Sequence, residues 1–223
     1  MLLVNQLIGF GAAQASAVVG VTFQGGQGTN TASATFSFPA YTCDAGHTVA
    51  YICISASNNS RSISGVTVTG NNSGAHTAVQ RVGSGTTTAN AEIWTATISG
   101  DTSIDVSISF GGGTQARGAC FVYTASGLSA TASATDAADT SSPFAATVTT
   151  PAGGYAFAVV GDNNSGSPTV SWTNYTKPAS GDNAQGGRTF STAYFNGSDA
   201  TGPTATYSAA SGGRLAVATF DHT

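Results

Sequence analysis

The sequence predicts an all-β protein: a large antiparallel β-sandwich, jelly-roll-like, with an internal pseudo-repeat and an extended apolar arm before it. Apolar residues alternate at period 2 through most of the chain, and no stretch holds a 3.6-residue period for three turns. Charged residues make up 7% of the 223, with Lys177 the only lysine and Glu92 the only glutamate. The usual share is about a quarter, and exposed helices are normally coated with those side chains. The two halves of the chain also echo each other, as set out below.

The N-terminal segment, 1–17, carries Leu2, Val4, Leu7, Ile8 and Phe10 ahead of an Ala/Ser-rich stretch. It lacks the positive n-region of a signal peptide, and Asn5, Gln6 and Gly9 interrupt its apolar run. It is also too short and too polar to cross a bilayer. It is therefore expected to be retained as an arm whose five large apolar side chains form an assembly interface. Gly9 and Gly11 allow the chain to turn from that arm into a body spanning 18–223.

Strands are expected at 19–24, 32–38, 48–57, 65–69, 77–82, 91–99, Ser103–Phe110 and 117–125 in the first half. The second half offers 144–150, 154–161, 169–173, 188–195, 204–208 and 214–220. Ser103–Phe110 is the clearest: Ile104, Val106, Ile108 and Phe110 point one way and Ser103, Asp105, Ser107 and Ser109 the other. That pattern is a half-buried antiparallel strand. Gly, Asn, Asp, Ser and Pro separate the strands, as turn chemistry requires.

The echo runs through both halves. Pro39-Ala40, an apolar strand and Asn58-Asn59-Ser60 correspond to Pro151-Ala152, an apolar strand and Asn163-Asn164-Ser165. Val66-Thr67-Val68 corresponds to Val170-Ser171-Trp172, and each half closes on an Arg-led strand, from Arg117 and from Arg214. The repeat fits two sandwiches, 18–127 and 143–223, or one large sandwich. The shortness of the Ala/Ser/Thr/Asp-rich junction from Gly127 to Ser142 favours the single one.

Composition narrows function by exclusion. The formal net charge is −4, and five scattered arginines form no basic stripe, so no nucleic-acid partner is expected. No membrane partner is expected either. Cys43, Cys53 and Cys120 are an odd set at irregular spacing and read as buried thiols rather than a disulfide framework. With one glutamate, a paired-Glu glycosidase site is impossible, while Asp101 in a Gly-Asp-Thr turn and Asp105 on a polar strand face read as solvated. His47, His76 and His222 stand apart, without zinc spacing or a Gly-x-Ser-x-Gly elbow. Asp162-Asn163-Asn164-Ser165-Gly166 offers oxygen ligands, but turn chemistry explains it at least as well as calcium. No catalytic residue, metal or cofactor is expected. Trp94 and Trp172 read as core, which leaves Tyr41 and Tyr175 as the aromatics placed to stack on a sugar.

The opening Asn5-Gln6-Leu7-Ile8-Gly9-Phe10-Gly11 is followed by an Ala/Ser linker. Further on stand Pro39-Ala40 with Gly46, Gly100-Asp101-Thr102 and Pro151-Ala152-Gly153. Together this pattern resembles accessory β-sandwich proteins of tailed-bacteriophage particles, of the capsid-decoration, head-fibre and tail-appendage kinds. The resemblance implies a non-enzymatic protein on the outer surface of a virion, made in the host cytoplasm. Its expected partners are a major capsid protein or another structural neighbour, and further copies of itself, a trimer fitting a lattice axis. A receptor- or glycan-binding module of a tail or head fibre is the alternative. A secreted carbohydrate-active protein is a third, disfavoured by the single glutamate.

Overall fold

A strand with one wet face alternates apolar and polar residues, whereas a strand covered on both faces runs apolar throughout. This chain contains both kinds, and they occupy different layers. The structure, a computed structural model, describes residues 19–57, 61–86, 89–138, 142–163, 165–197, 202–209 and 212–223. The arm, 1–17, with Leu2, Val4, Leu7, Ile8 and Phe10, lies outside the described residues.

The first half holds β1 (Gly20–Thr29), β2 (Thr35–Thr42), β3 (Val49–Ser57), β4 (Ile63–Gly70), β5 (Gly74–Thr77), β6 (Val79–Thr86), β7 (Ala89–Thr97), β8 (Ser103–Phe110) and β9 (Arg117–Ser126). The second holds β10 (Leu128–Ala138), β11 (Phe144–Ala145), β12 (Tyr155–Asp162), β13 (Val170–Thr173), β14 (Asp182–Gln185), β15 (Arg188–Asn196), β16 (Thr204–Tyr207) and β17 (Gly213–His222). No helix occurs among the described residues.

Each half builds a pair of antiparallel sheets. In the first, the order β1-β9-β3-β7-β6 faces β2-β8-β4-β5; in the second, β10-β17-β12-β15-β14 faces β11-β16-β13. Superimposing the halves takes β1 to β10, β2 to β11, β3 to β12, β4 to β13, β6 to β14, β7 to β15, β8 to β16 and β9 to β17, and the orders then coincide. The first, last and third strands share one sheet while the second, next-to-last and fourth share the other. Two nested Greek keys generate that interleaving, which is the jelly roll. The predicted all-β, jelly-roll-like class and its pseudo-repeat are therefore the fold, but each half closes its own sandwich where a single large one was favoured.

The two five-stranded sheets stack on each other, so the layers number four. β3 lies over β12, β1 over β14 and β6 over β10. Because β1 corresponds to β10 and β6 to β14, these contacts are reciprocal, as in an isologous dimer made within one chain. Three apolar clusters follow. Ala50, Ile52 and Ile54 of β3 face the first half's own outer sheet, Ala156, Ala158 and Val160 of β12 face the second's, and the alternate residues of both strands meet in the middle. There Tyr51 lies 4.7 Å from Phe157 and 4.6 Å from Phe220, and Tyr123 lies 4.7 Å from Phe157, ring centre to ring centre. The buried hydroxyls are satisfied: Tyr51 donates to Ser129 O at 2.8 Å, and Tyr123 meets Thr192 Oγ1 at 3.2 Å. Thr192 in turn donates to Ala158 O at 2.8 Å. The sheets approach so closely that a Cβ on Gly161 would lie 1.8 Å from Ser55 Oγ.

Three strands were not anticipated. The junction expected as a linker is β10, separated from β9 by Gly127 alone, whose φ of 68° turns the chain from one central sheet into the other. Its inward residues from Ala130 to Ala138 are mostly alanines, whose methyls carry too little hydropathy to register as an apolar face. β5, Gly-Ala-His-Thr, and β14, Asp-Asn-Ala-Gln, are four-residue strands with no large apolar side chain. Conversely, the expected strand 144–150 is a regular strand only over Phe144–Ala145; beyond it the Ala146 N–H donates to Pro203 O at 3.2 Å and the Thr147 N–H to Asp136 Oδ2 at 2.6 Å.

Phe157 touches both tyrosines and Phe220, so Phe157→Ala should cost about 3–5 kcal/mol of unfolding free energy in urea denaturation. Thr35→Ala on the wet face of β2 should change it by less than about 0.5 kcal/mol.

Candidate binding surface

Charge has little place in a chain whose central strands are covered on both sides, and most ionisable groups serve the fold. Glu92, on β7, is 4% exposed. Its Oε2 accepts from Trp94 Nε1 and from Gln80 Nε2, each at 2.8 Å. Burial pushes its pKa up to about 7, while the hydrogen bonds from Trp94, Gln80 and the Ile63 backbone pull it partly back.

Asp101 corrects the sequence reading: expected in solvent, it is 3% exposed. One carboxylate oxygen accepts the Asn72 and Ser73 N–H groups at 2.8 and 2.9 Å, and the other accepts the Ser73 hydroxyl. Burial pushes its pKa up, but these donors more than reverse that and hold it below the ordinary carboxylate range. Asn71 Oδ1 and Asn72 Nδ2 bond back to the loop that carries Asp101, so the two loops clasp each other. His76 Nε2 lies 2.8 Å from Ser73 Oγ, which puts the serine between carboxylate and imidazole. A nucleophilic serine needs the imidazole in the middle. Asp105 is exposed and caps the Ala40 N–H at 2.7 Å. His47 bonds Thr124 Oγ1 at 2.7 Å, away from that group.

The described residues contain no grouping of three or more His, Cys, Asp or Glu placed to hold a metal ion. Asp162, proposed above as part of an oxygen-rich turn, is fully buried at the end of β12. All three cysteines are buried and unpaired, and burial raises the Cys43 and Cys120 thiols to about 11 and about 12. Neither is a thiolate at neutral pH.

The aromatic candidates also change. Tyr41 is 1% exposed, its hydroxyl donating to Cys120 O at 2.8 Å. Tyr175 is 6% exposed, its ring centre 5.6 Å from that of Phe195. Neither can stack on a ligand. Instead a cleft of about 190 Å³ opens at the seam between the two jelly rolls. Val21 and Phe23 of β1 and Tyr123 of β9 line it from the first half, and Tyr155 of β12, Tyr194 and Asn196 of β15 and the loop residue Pro178 from the second. Phe23, Tyr155 and Tyr194 are half-buried and Asn196 is exposed. The Phe23 and Tyr123 ring centres are 4.9 Å apart, and those of Tyr123 and Tyr194 6.1 Å. Tyr155 pairs directly with Asn196 across the sheet. Sequence reasoning placed the tyrosines of this cleft within expected strands and did not single them out. The available signal was their position at strand ends, Gly154-Tyr155 opening one strand and Asn196-Gly197 closing the other.

The fold and this cleft define a tandem jelly-roll protein with a neutral, aromatic-lined surface recess. No family model matches the chain, and no curated protein matches it. A solved chain described as Red Clover Necrotic Mosaic Virus aligns over 92% of this chain and 97% of its own, at 12% identity and a TM-score of 0.27. Agreement at that level carries no argument.

The buried Glu92 sets a pH dependence. Its folded-state pKa is raised, so the fold favours the neutral acid. That contribution is present in full below the ordinary value of 4.5 and is lost as the pH rises through about 7. Urea denaturation should show stability falling by roughly 3 kcal/mol between about pH 4 and about pH 8, and Glu92→Gln should flatten most of that slope.

Proposed function

We propose that this chain is a non-enzymatic structural protein of a bacteriophage virion, decorating the outer surface of the capsid or head. The observation that carries this reading is the stacked pair of jelly rolls whose buried ionisable groups serve packing. The outward positions of its wet strands, such as Thr35, Ser37 and Ser107, carry small neutral side chains. Such a surface loses little side-chain entropy on contact. The partners in this reading are a capsid or adjacent structural protein and further copies of the chain, with a trimer at a lattice axis as the proposed oligomer. Attachment falls to the arm through Leu2, Val4, Leu7, Ile8 and Phe10. Each large apolar side chain gains roughly 1.5–3 kcal/mol on full burial, which across five offsets much of the cost of ordering the segment.

A second reading, a receptor- or glycan-binding module of a tail or head fibre, is favoured by one observation, the aromatic cleft at the seam.

Deleting residues 1–11 should leave a soluble protein with unchanged far-ultraviolet circular dichroism that no longer joins particles in a reconstitution assay. Loss of the folded domain on deletion would make the arm part of the core. Copy number separates the two readings. Mass spectrometry of purified particles should find a number matching the shell lattice, and a few copies per particle would contradict decoration.

A further inference from the structure

We propose that the cleft at the seam is a binding site for a neutral saccharide, taken one pyranose ring at a time. The inference deepens the second reading above and rests on it.

Size comes first. Pockets for drug-sized ligands run to about 300–1,000 Å³, and this cleft of about 190 Å³ has room for a single ring. Its chemistry is amphipathic in the way a pyranose is. Phe23, Tyr155 and Tyr194 supply apolar ring surface that remains partly exposed, while Asn196 and the hydroxyls of Tyr155 and Tyr194 supply neutral donors and acceptors. The C–H face of a sugar ring packs on the former and its hydroxyls bond the latter. An acyl chain or an apolar peptide side chain would leave the amide and hydroxyls without partners, at a desolvation cost.

Charge argues the same way. No ionisable side chain other than the tyrosines lines the cleft. Lys177, next in sequence to the lining Pro178, is engaged by Asp182 Oδ2 at 2.6 Å and by Val170 O at 2.8 Å. A sialic or uronic acid would therefore meet no free cation among the lining residues.

The rings are also held in place before any ligand arrives. Tyr123 is packed between Phe23 and Phe157, and it fixes Tyr194 edge-on. The Tyr194 backbone is tied to Thr176 in both directions, at 2.7 and 2.9 Å. Preorganised rings lose little freedom on binding. Residues of both jelly rolls complete the site, so it exists only because the halves stack.

The test titrates the full chain with the methyl glycosides of glucose, galactose and N-acetylglucosamine, with glucuronic acid and octanol as controls, followed by amide chemical shifts. At least one neutral glycoside should give saturable shifts confined to residues around Tyr155, Tyr194 and Asn196. Tyr194→Ala should weaken binding about tenfold, Asn196→Ala should weaken it less, and Tyr194→Phe should retain the stacking contribution, with unfolding midpoints confirming each fold. No saturable shift from any neutral glycoside, binding that survives Tyr194→Ala, or shifts given by octanol and not by the sugars would each overturn the proposal. Because these measurements use the isolated chain, they fail or succeed independently of copy number on the particle. A saccharide site on a lattice-bound protein would overturn the fibre reading and leave this one standing.

Discussion

Everything in this molecule depends on two five-stranded sheets that are covered on both faces. Each central sheet packs its own outer sheet on one side and the other half's central sheet on the other. Such a layer has no face on which a charged side chain is solvated, so the middles of β3, β9, β12 and β17 are built from Ala, Cys, Val, Ile, Leu, aromatics, Ser and Thr, and charge enters towards their ends, as Arg117, Asp162, Arg214 and Asp221. Four-layer stacking thus accounts for the shortage of charge in the central strands. Hydroxyls that enter these layers find partners, as Thr192 and Ser55 donate to the Ala158 and Asn90 carbonyls and Thr124 Oγ1 meets His47 Nδ1. An unpartnered one would cost about 1–3 kcal/mol.

The same constraint explains what became of the few chemistry-bearing residues. Glu92 is kept in the first half's core by an indole and an amide, and Asp101 by the backbone of a facing loop. Both shifts have ordinary structural causes, and the shifts run in opposite directions: burial dominates for the glutamate, directed N–H and O–H donors for the aspartate. Shifted acids mark functional sites only when something beside them can react. Glu92 stands beside an indole and an amide, and Asp101 beside Ser73 and the backbone of a facing loop.

Much of the architecture was legible in the sequence because alternation and turn chemistry are local. Ser103–Phe110 was placed to the residue, and the echo of the halves matches the shared strand order. What escaped was small or paired at a distance. The alanines of β10 bury surface only because β17 lies beside them, and the short strands β5 and β14 form because neighbouring strands offer free edges. Asp101 looked solvated because a turn aspartate gives no local sign of the loop, some thirty residues earlier, that will bury it. The cleft was hidden for a related reason. Its rings come from β1, β9, β12 and β15, and Tyr194 resembles core until the ends of the stacked sheets are seen to leave it half-covered. Tyr41 and Tyr175 misled in the opposite sense, since position outside an expected strand is not exposure.

The pseudo-symmetry has a physical corollary. In a tandem protein joined by a flexible linker the halves melt apart, but here one glycine separates β9 from β10, and Tyr51, Tyr123, Phe157 and Phe220 are buried only while both halves are folded. The chain should therefore unfold as one cooperative unit held by its central aromatic layer. Scanning calorimetry of the full chain tests this most directly. A single transition whose calorimetric enthalpy equals its van't Hoff enthalpy is the predicted result. Two resolved transitions, each accounting for about half the heat, would contradict it.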